Sequence, residues 1–253
     1  MFKQAIVRRP CKNFQFGISS SKLGKPNYNR VLLQHSKYLE ALEKCNLSIL
    51  ELIEDDRFPD STFVEDTAIV DKKFAVITNL GEKSRKGEEI EIHDKLKPFY
   101  DKIELIKKPG TLEGGDIMKV EEHYYIGLSN RTNREGADQL MRILKRFGYS
   151  SSKVPLKKVL HLKTGISYLG DRILLVSGEF KKHPDFKKYD RIEVLEREAY
   201  ATNSVRINDY VLIPKGYDNL KKQILNFNFK VIELEMSEFE KMDGGLSCLS
   251  LRF

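Results

Sequence analysis

Residues able to do covalent chemistry lie far apart along this chain. Cys248 stands in GGLSCLSLRF, behind Gly244-Gly245. Paired glycines let the backbone bend sharply and let a ligand approach closely. A thiol placed there can act as a nucleophile, or it can be a small buried hydrophobe. His161, in VLHLKTG, follows apolar Val159-Leu160 and precedes a glycine-containing turn. An imidazole at a strand end suits general acid–base work near neutral pH, the other reading being a satisfied core histidine. Glu113, in GTLEGGDIM, is again followed by two glycines at the mouth of a strand. It can orient an imidazole through the ring N–H, or be a solvated loop acid. The remaining histidines sit on a helix stripe (His35) or in charged, turn-like stretches (His93, His123, His183).

A second group of residues could bind a charged ligand. Glu65 and Asp66, in PDSTFVEDTAIV, are adjacent acids just before an apolar strand. In a strand they would point to opposite faces, so a bend is needed to turn both to one ligand. Neighbouring carboxylates repel unless a cation neutralises them, and a guanidinium matches their geometry with its planar fork of donors. A divalent metal is the weaker reading, because no histidine or further acid stands at ligand-like spacing. Arg85, in EKSRKGEE, and Arg131, in SNRTN, could clamp a carboxylate. Arg131 precedes a predicted helix cap at Thr132, where an anion would also feel the helix N-terminus.

The elements that must position these residues form a repeating pattern. Two short apolar strands flank a polar turn in TAIVDKKFAVIT, DIMKVEEHYYIG, ISYLGDRILLVS and SVRINDYVLIP. The turns centre near Lys72, Glu122, Asp171 and Asn208, about 50, 49 and 37 residues apart, a range typical of supersecondary repeats. Joining the last strand, SCLSLRF, to the first, FKQAIV, would supply a fifth unit, close a ring and hide sheet edges. Helices are predicted between the hairpins. From Asn29 to Cys45 the stripe is Leu32, His35, Leu39 and Leu42; from Thr132 to Phe147 it is Leu140, Ile143, Leu144 and Phe147, with Gly148 as a stop. A shorter helix is predicted over Leu220 to Phe227. The class is α/β, in a single domain over 1–253.

Composition narrows the function. Hydrophobic residues make up 40% and charged residues 32%, the mixture of a globular protein. No apolar run approaches the ~20 residues that cross a bilayer, and the N-terminal residues lack the continuous apolar core of a secretory signal. The net charge of +7 comes from 44 basic against 37 acidic residues, which are interspersed. That reads as a solvated surface, so neither a nucleic acid nor a membrane is expected as partner. The 3 cysteines, Cys11, Cys45 and Cys248, are odd in number and widely spaced, which argues against a disulfide framework or structural zinc and for a reducing cytoplasm.

Taken together, PDSTFVEDTA, LEGGD, NRTN, LHLKTG and DGGLSCLSLRF resemble, in order and spacing, the dimethylarginine dimethylaminohydrolase family of the guanidine-modifying pentein superfamily. The resemblance covers nearly the whole chain. It implies a five-bladed α/β propeller of ββαβ-type units. It implies Cys248 as nucleophile, His161 as general acid/base and Glu113 as partner of the imidazole. Glu65 and Asp66 would hold a guanidinium, Arg85 and Arg131 a substrate carboxylate, Asp60 an α-ammonium, and Phe63 would be a pocket wall. FGISSSKLGKP falls where the family has a mobile lid. Arginine deiminases and amidinotransferases resemble one another in a His-x-Asp motif, whereas this chain has His161-Leu162-Lys163. Lysine cannot accept hydrogen bonds from a guanidinium, so a methylated arginine is expected over free arginine. The expected reaction gives citrulline and dimethylamine or methylamine through a covalent thiouronium, with no metal or organic cofactor. An arginine or agmatine deiminase and a non-catalytic arginine-binding protein are the competing readings. A homodimer is compatible with the resemblance.

Overall fold

A computed structural model describes residues 1–253. The hairpins read from the sequence are antiparallel pairs: β3 (Ala68–Val70) with β4 (Ala75–Ile77), and β6 (Ile117–Val120) with β7 (His123–Leu128). The same holds for β9 (Ile166–Gly170) with β10 (Ile173–Val176), and β12 (Val205–Ile207) with β13 (Tyr210–Pro214). Three of the tight turns place Glu121, Asp171 and Asn208 at positive φ (54°, 50° and 53°). Asn and Asp tolerate that left-handed backbone through their short polar side chains; Glu121 has no such excuse. The ring closes as expected: β15 (Leu251–Arg252) pairs antiparallel with β1 (Gln4–Arg8), Ala5 opposite Arg252.

Each hairpin gains a third, parallel strand that the alternation pattern does not announce: β2 (Ser48–Leu52), β5 (Ile103–Leu105), β8 (Ser150–Pro155), β11 (Asp190–Glu193) and β14 (Lys230–Leu234). The result is five three-stranded sheets. Parallel strands need a crossover of a dozen or so residues. Helices α1 (Tyr28–Lys44), α2 (Glu88–Leu96), α3 (Arg134–Arg146) and α5 (Asp218–Leu225) supply it in four units, while between β10 and β11 short 3-10 turns over Gly178–Lys182 and Pro184–Phe186 replace the helix. No helix is long and apolar enough to cross a membrane.

The core consists of wedges between neighbouring sheets rather than one central mass. The largest joins Ala5, Val7, Tyr38 and Leu42 of the first unit to Val205, Ile207, Leu212 and Leu234 of its neighbour. Two helix expectations need correction. The buried stripe of α1 is Val31, Gln34, His35, Tyr38, Ala41 and Leu42, so Leu32 and Leu39 sit at its margin. Gln34 can be buried because its amide donates to Ser237 Oγ and accepts from Glu238 N. For α3 the cap is Asn133, whose side chain accepts from Gly136 N at 2.8 Å, and not Thr132. Thr132 Oγ1 instead accepts the N–H of Glu113 at 3.1 Å. Gly148 ends the helix segment at φ 85°.

Candidate active site

The fold explains why residues distant in sequence converge. The innermost strands of the sheets are β3, β6, β9, β12 and β15. The repeat places the segment ahead of each of them at one end of the ring. Those segments carry Glu65 and Asp66, Glu113, His161, Asn203, and Cys248. Cys248 lies in a 3-10 turn, Ser247–Leu249, and not in the strand itself. The turn of Val64–Thr67 provides the bend that separates Glu65 from Asp66.

His161 Nε2 lies 2.8 Å from Glu113 Oε2, and Glu113 is fully buried. The other Glu113 oxygen accepts from the backbone N–H groups of Gly81 (3.1 Å) and Glu82 (3.3 Å). Thr164 Oγ1 accepts from His161 N and fixes the start of α4 (Leu162–Gly165). Gly115 makes room for the ring: a Cβ there would stand 2.6 Å from His161 Nδ1 and 3.0 Å from Asp66 Oδ1. Burial opposes charge on His161, yet Asp66, Asp116 and Glu113 outweigh it and raise the imidazole to about 9. Burial likewise opposes charge on Glu113, but the His161 hydrogen bond holds it below the usual carboxylate range.

The acidic neighbours face different partners. Asp66 accepts from Gly115 N (2.9 Å) and Arg85 Nη1 (2.7 Å). Despite burial, His161 and Arg85 keep it below the ordinary aspartate range. Glu65 is met by Lys163 Nζ (2.5 Å), Arg252 (3.3 Å) and Ser247 Oγ (2.7 Å). Ser247 is the residue before Cys248, so this bond ties the cysteine turn to the acidic pair. Asn203 Oδ1 accepts from Ser247 N and its amide donates to Lys163 O, which holds both turns. Nothing in the composition around Asn203 singles it out; only its place ahead of an inner strand does. The Cys248 thiol is pushed up to about 12 by burial, with Glu65 and Asp66 adding to the effect.

Arg85 is buried and engaged. Its Nε and Nη2 meet Glu88, Nη1 meets Asp66, and Nη2 also donates to Phe63 O. Four of its five N–H groups are thereby engaged. Arg131 is more open, with Nη1 3.5 Å from Glu82 and 3.6 Å from Glu113. Asp60 accepts Ile18 N at 3.1 Å with both oxygens, which joins it to the expected lid. Phe63 packs against Phe14 (5.8 Å) and Phe239 (6.5 Å) and lies under Gly244.

Asp66, Glu113 and His161 offer ligand atoms within 4.8 Å of one another. His161 already engages Glu113 and Arg85 already engages Asp66, so these donors satisfy one another as ion pairs. A cavity of about 690 Å³ lies elsewhere on the ring axis: the hairpin turns and inner strands line it, with Glu65, Lys163 and Ser247 but neither His161 nor Cys248.

A family model described as N,N dimethylarginine dimethylhydrolase, eukaryotic, matches residues 12–250. A relative from Pseudomonas aeruginosa, N(G),N(G)-dimethylarginine dimethylaminohydrolase, is 47% identical over 254 residues, covering 100% of both chains. Its counterpart by name from Streptomyces coelicolor is 29% identical and covers 99% of this chain and 96% of its own. Among solved structures, a cysteine-to-serine variant of the Pseudomonas aeruginosa protein complexed with citrulline superimposes with a TM-score of 0.99 at 47% identity and full coverage of both chains. The N-terminal domain of ArgZ, a cyanobacterial arginine dihydrolase, shares the fold with a TM-score of 0.86 at 20% identity, covering 100% of this chain and 98% of its own.

Proposed function

This chain belongs to the dimethylarginine dimethylaminohydrolase family, and we propose that it hydrolyses the guanidinium of N-omega-methylated arginine to citrulline and dimethylamine or methylamine, with Cys248, His161 and Glu113 as its machinery. The observation that carries this is the buried His161–Glu113 pair, set against Asp66 and linked through Glu65 and Ser247 to the cysteine turn.

At rest the cysteine is a thiol and the imidazole carries a proton. A guanidinium beside Asp66 brings positive charge to the sulfur, which lowers the thiol pKa. The thiol gives its proton to solvent water, and the thiolate adds to the central guanidinium carbon. The C–N bond to the methylated nitrogen breaks as His161 gives that nitrogen its proton. A covalent thiouronium remains. His161, now neutral, takes a proton from water; the hydroxide adds to the same carbon, and the C–S bond breaks as the hydroxyl proton passes to the departing sulfur, which releases citrulline and restores the thiol and the protonated imidazole. Glu113 holds the ring in place and favours its protonated form. Arg131 and Arg85 face the substrate carboxylate; Asp60 faces the α-ammonium, and Phe63 walls the pocket.

Lys163 supports the methylated substrate. Its ammonium lies against Glu65 and offers no acceptor of its own, so one guanidinium nitrogen is left without a third acid and stays free to carry methyl groups. A free nucleophilic thiol fits a reducing compartment, and we place the enzyme in the cytoplasm. The test is a panel of arginine, mono- and dimethylated arginines and agmatine, read by citrulline yield and identity of the released amine. Cys248→Ser is expected to abolish citrulline formation while substrate still binds. Wild-type turnover in that variant, or ammonia from arginine as the dominant reaction, overturns the proposal.

A further inference from the structure

Asp116 is a fully buried acid that the reaction above leaves unused. It ends the turn that begins at Glu113, and its two oxygens go to different parts of the site. Oδ1 accepts the backbone N–H of Leu162, the residue after His161, at 3.0 Å. Oδ2 accepts from Ser129 Oγ at 2.6 Å. Ser129 Oγ in turn accepts from the N–H groups of Arg131 (3.0 Å) and Thr132 (3.1 Å). Thr132 completes the circuit by accepting Glu113 N. Space for the carboxylate is reserved on β7: a Cβ at Gly127 would lie 2.8 Å from Asp116 Oδ1. No lysine or arginine pairs with Asp116, although burial of an unpaired carboxylate is costly.

We propose that Asp116 is a positioning residue for this reaction, a buried joint that sets the imidazole of His161 and the carboxylate-facing Arg131 relative to each other while keeping a negative charge behind the imidazole. The inference deepens the function proposed above and rests on it. An interior without a role for the charge would favour a neutral side chain at this position. Burial pushes the Asp116 carboxyl up, and the nearby imidazole with the bonds from Ser129 Oγ and Leu162 N counters it in favour of the ionised form. Those bonds reach His161 and Arg131 through one and two links respectively. The groups that face the imidazole are Asp66 from the turn ahead of β3, and Glu113 and Asp116 from the turn ahead of β6. Arg85 stands on Asp66, Arg131 near Glu113, and Lys163 is held on Glu65. Removing the Asp116 charge while leaving the other groups in place therefore has a defined sign: the imidazolium loses support.

The test uses Asp116→Asn and Ser129→Ala in the full chain. The His161 imidazole is titrated by NMR with labelled histidine, its signal assigned by its loss in His161→Gln. This readout needs no substrate, so it stands even if methylarginine is the wrong substrate. Asp116→Asn is expected to lower the His161 midpoint by about one pH unit and to lower kcat/KM by on the order of 10- to 100-fold. Ser129→Ala keeps the carboxylate but removes one of its hydrogen bonds and loosens the turn bearing Arg131, so it is expected to raise KM and to shift the imidazole midpoint less than Asp116→Asn does. An unchanged midpoint in Asp116→Asn overturns the proposal, as does an equal shift in both variants. Should Asp116→Asn not fold, Asp116→Glu decides: it keeps the charge but displaces it, so the midpoint is expected to hold while kcat/KM falls, and a kcat/KM unchanged from wild type overturns the proposal.

Discussion

The two sides of the proposed pocket are built in opposite ways. On one side Asp66, Glu113 and His161 are buried and held by backbone N–H groups or by one another. On the other, the segment around Ser19 and Ser20 is exposed and is fastened by Asp243, by Lys241 O and, at Ile18, by Asp60. Asp243 Oδ2 accepts from Ser20 N (2.5 Å), Ser20 Oγ (2.9 Å) and Ser19 Oγ (3.4 Å). The contrast teaches a division of labour. Groups that must hold a charge in one geometry are enclosed, where electrostatics is strong. The segment that must let a substrate pass is fastened by bonds that water can replace, each worth only about 1 kcal/mol.

The contrast can be broken most forcefully on the buried side. Glu113→Gln keeps the shape but removes the charge that supports the imidazolium. A loss of kcat on the order of 10²- to 10³-fold is expected, with KM changed far less; steady-state kinetics settles it, and a loss below tenfold would mean that Glu113 does not orient the ring. Next comes stability. His161 is raised from near 6.5 to about 9 on folding. A raised pKa means the folded state binds the proton more tightly, so its contribution is complete below about pH 6.5 and disappears as pH rises through about 9. Since the ring is buried, the contribution is about 3 kcal/mol. Urea midpoints across that window should fall in the wild type and flatten in His161→Gln. The smallest effect is expected on the exposed side. Asp243 sits at φ 56°, so Asn, which tolerates that backbone, is the clean substitution. Asp243→Asn should leave kcat within about threefold and speed amide exchange at Ser20 up to about tenfold. A large loss of kcat there would erase the distinction between the two sides.

The same distinction decides what could be read from the sequence. The hairpins were legible because a short apolar strand, a polar turn and a second apolar strand leave a local signature, and ring closure followed from their count. The third strands were not. Ile103–Leu105 is too short to alternate, and its pairing with β4 depends on a helix crossing back. Glu113, His161 and Cys248 stood out because each neighbours a glycine turn or a strand end and belongs to a reactive residue type. Asn203 and Asp116 did not, because their importance lies in which distant backbone groups they meet. Arg85 was legible as a cation near the site but not as one already paired with Asp66 and Glu88. The α1 stripe was misplaced because Gln34 is polar in sequence and satisfied only by Ser237 and Glu238, more than 200 residues away.

Pairing of β1 with β15 carries a consequence for how the molecule comes into being. Strand residues near the beginning wait for partners at 251 and 252, and Lys3 and Gln4 donate to Phe253 O. Contacts so remote in sequence are paid for in loop entropy before they return anything, which slows their formation. The turn bearing Cys248 is clamped between that late strand and Asn203. The turn of Cys248 therefore takes its place beside Asn203 and Glu65 only once residues near 251 have paired with those near 5.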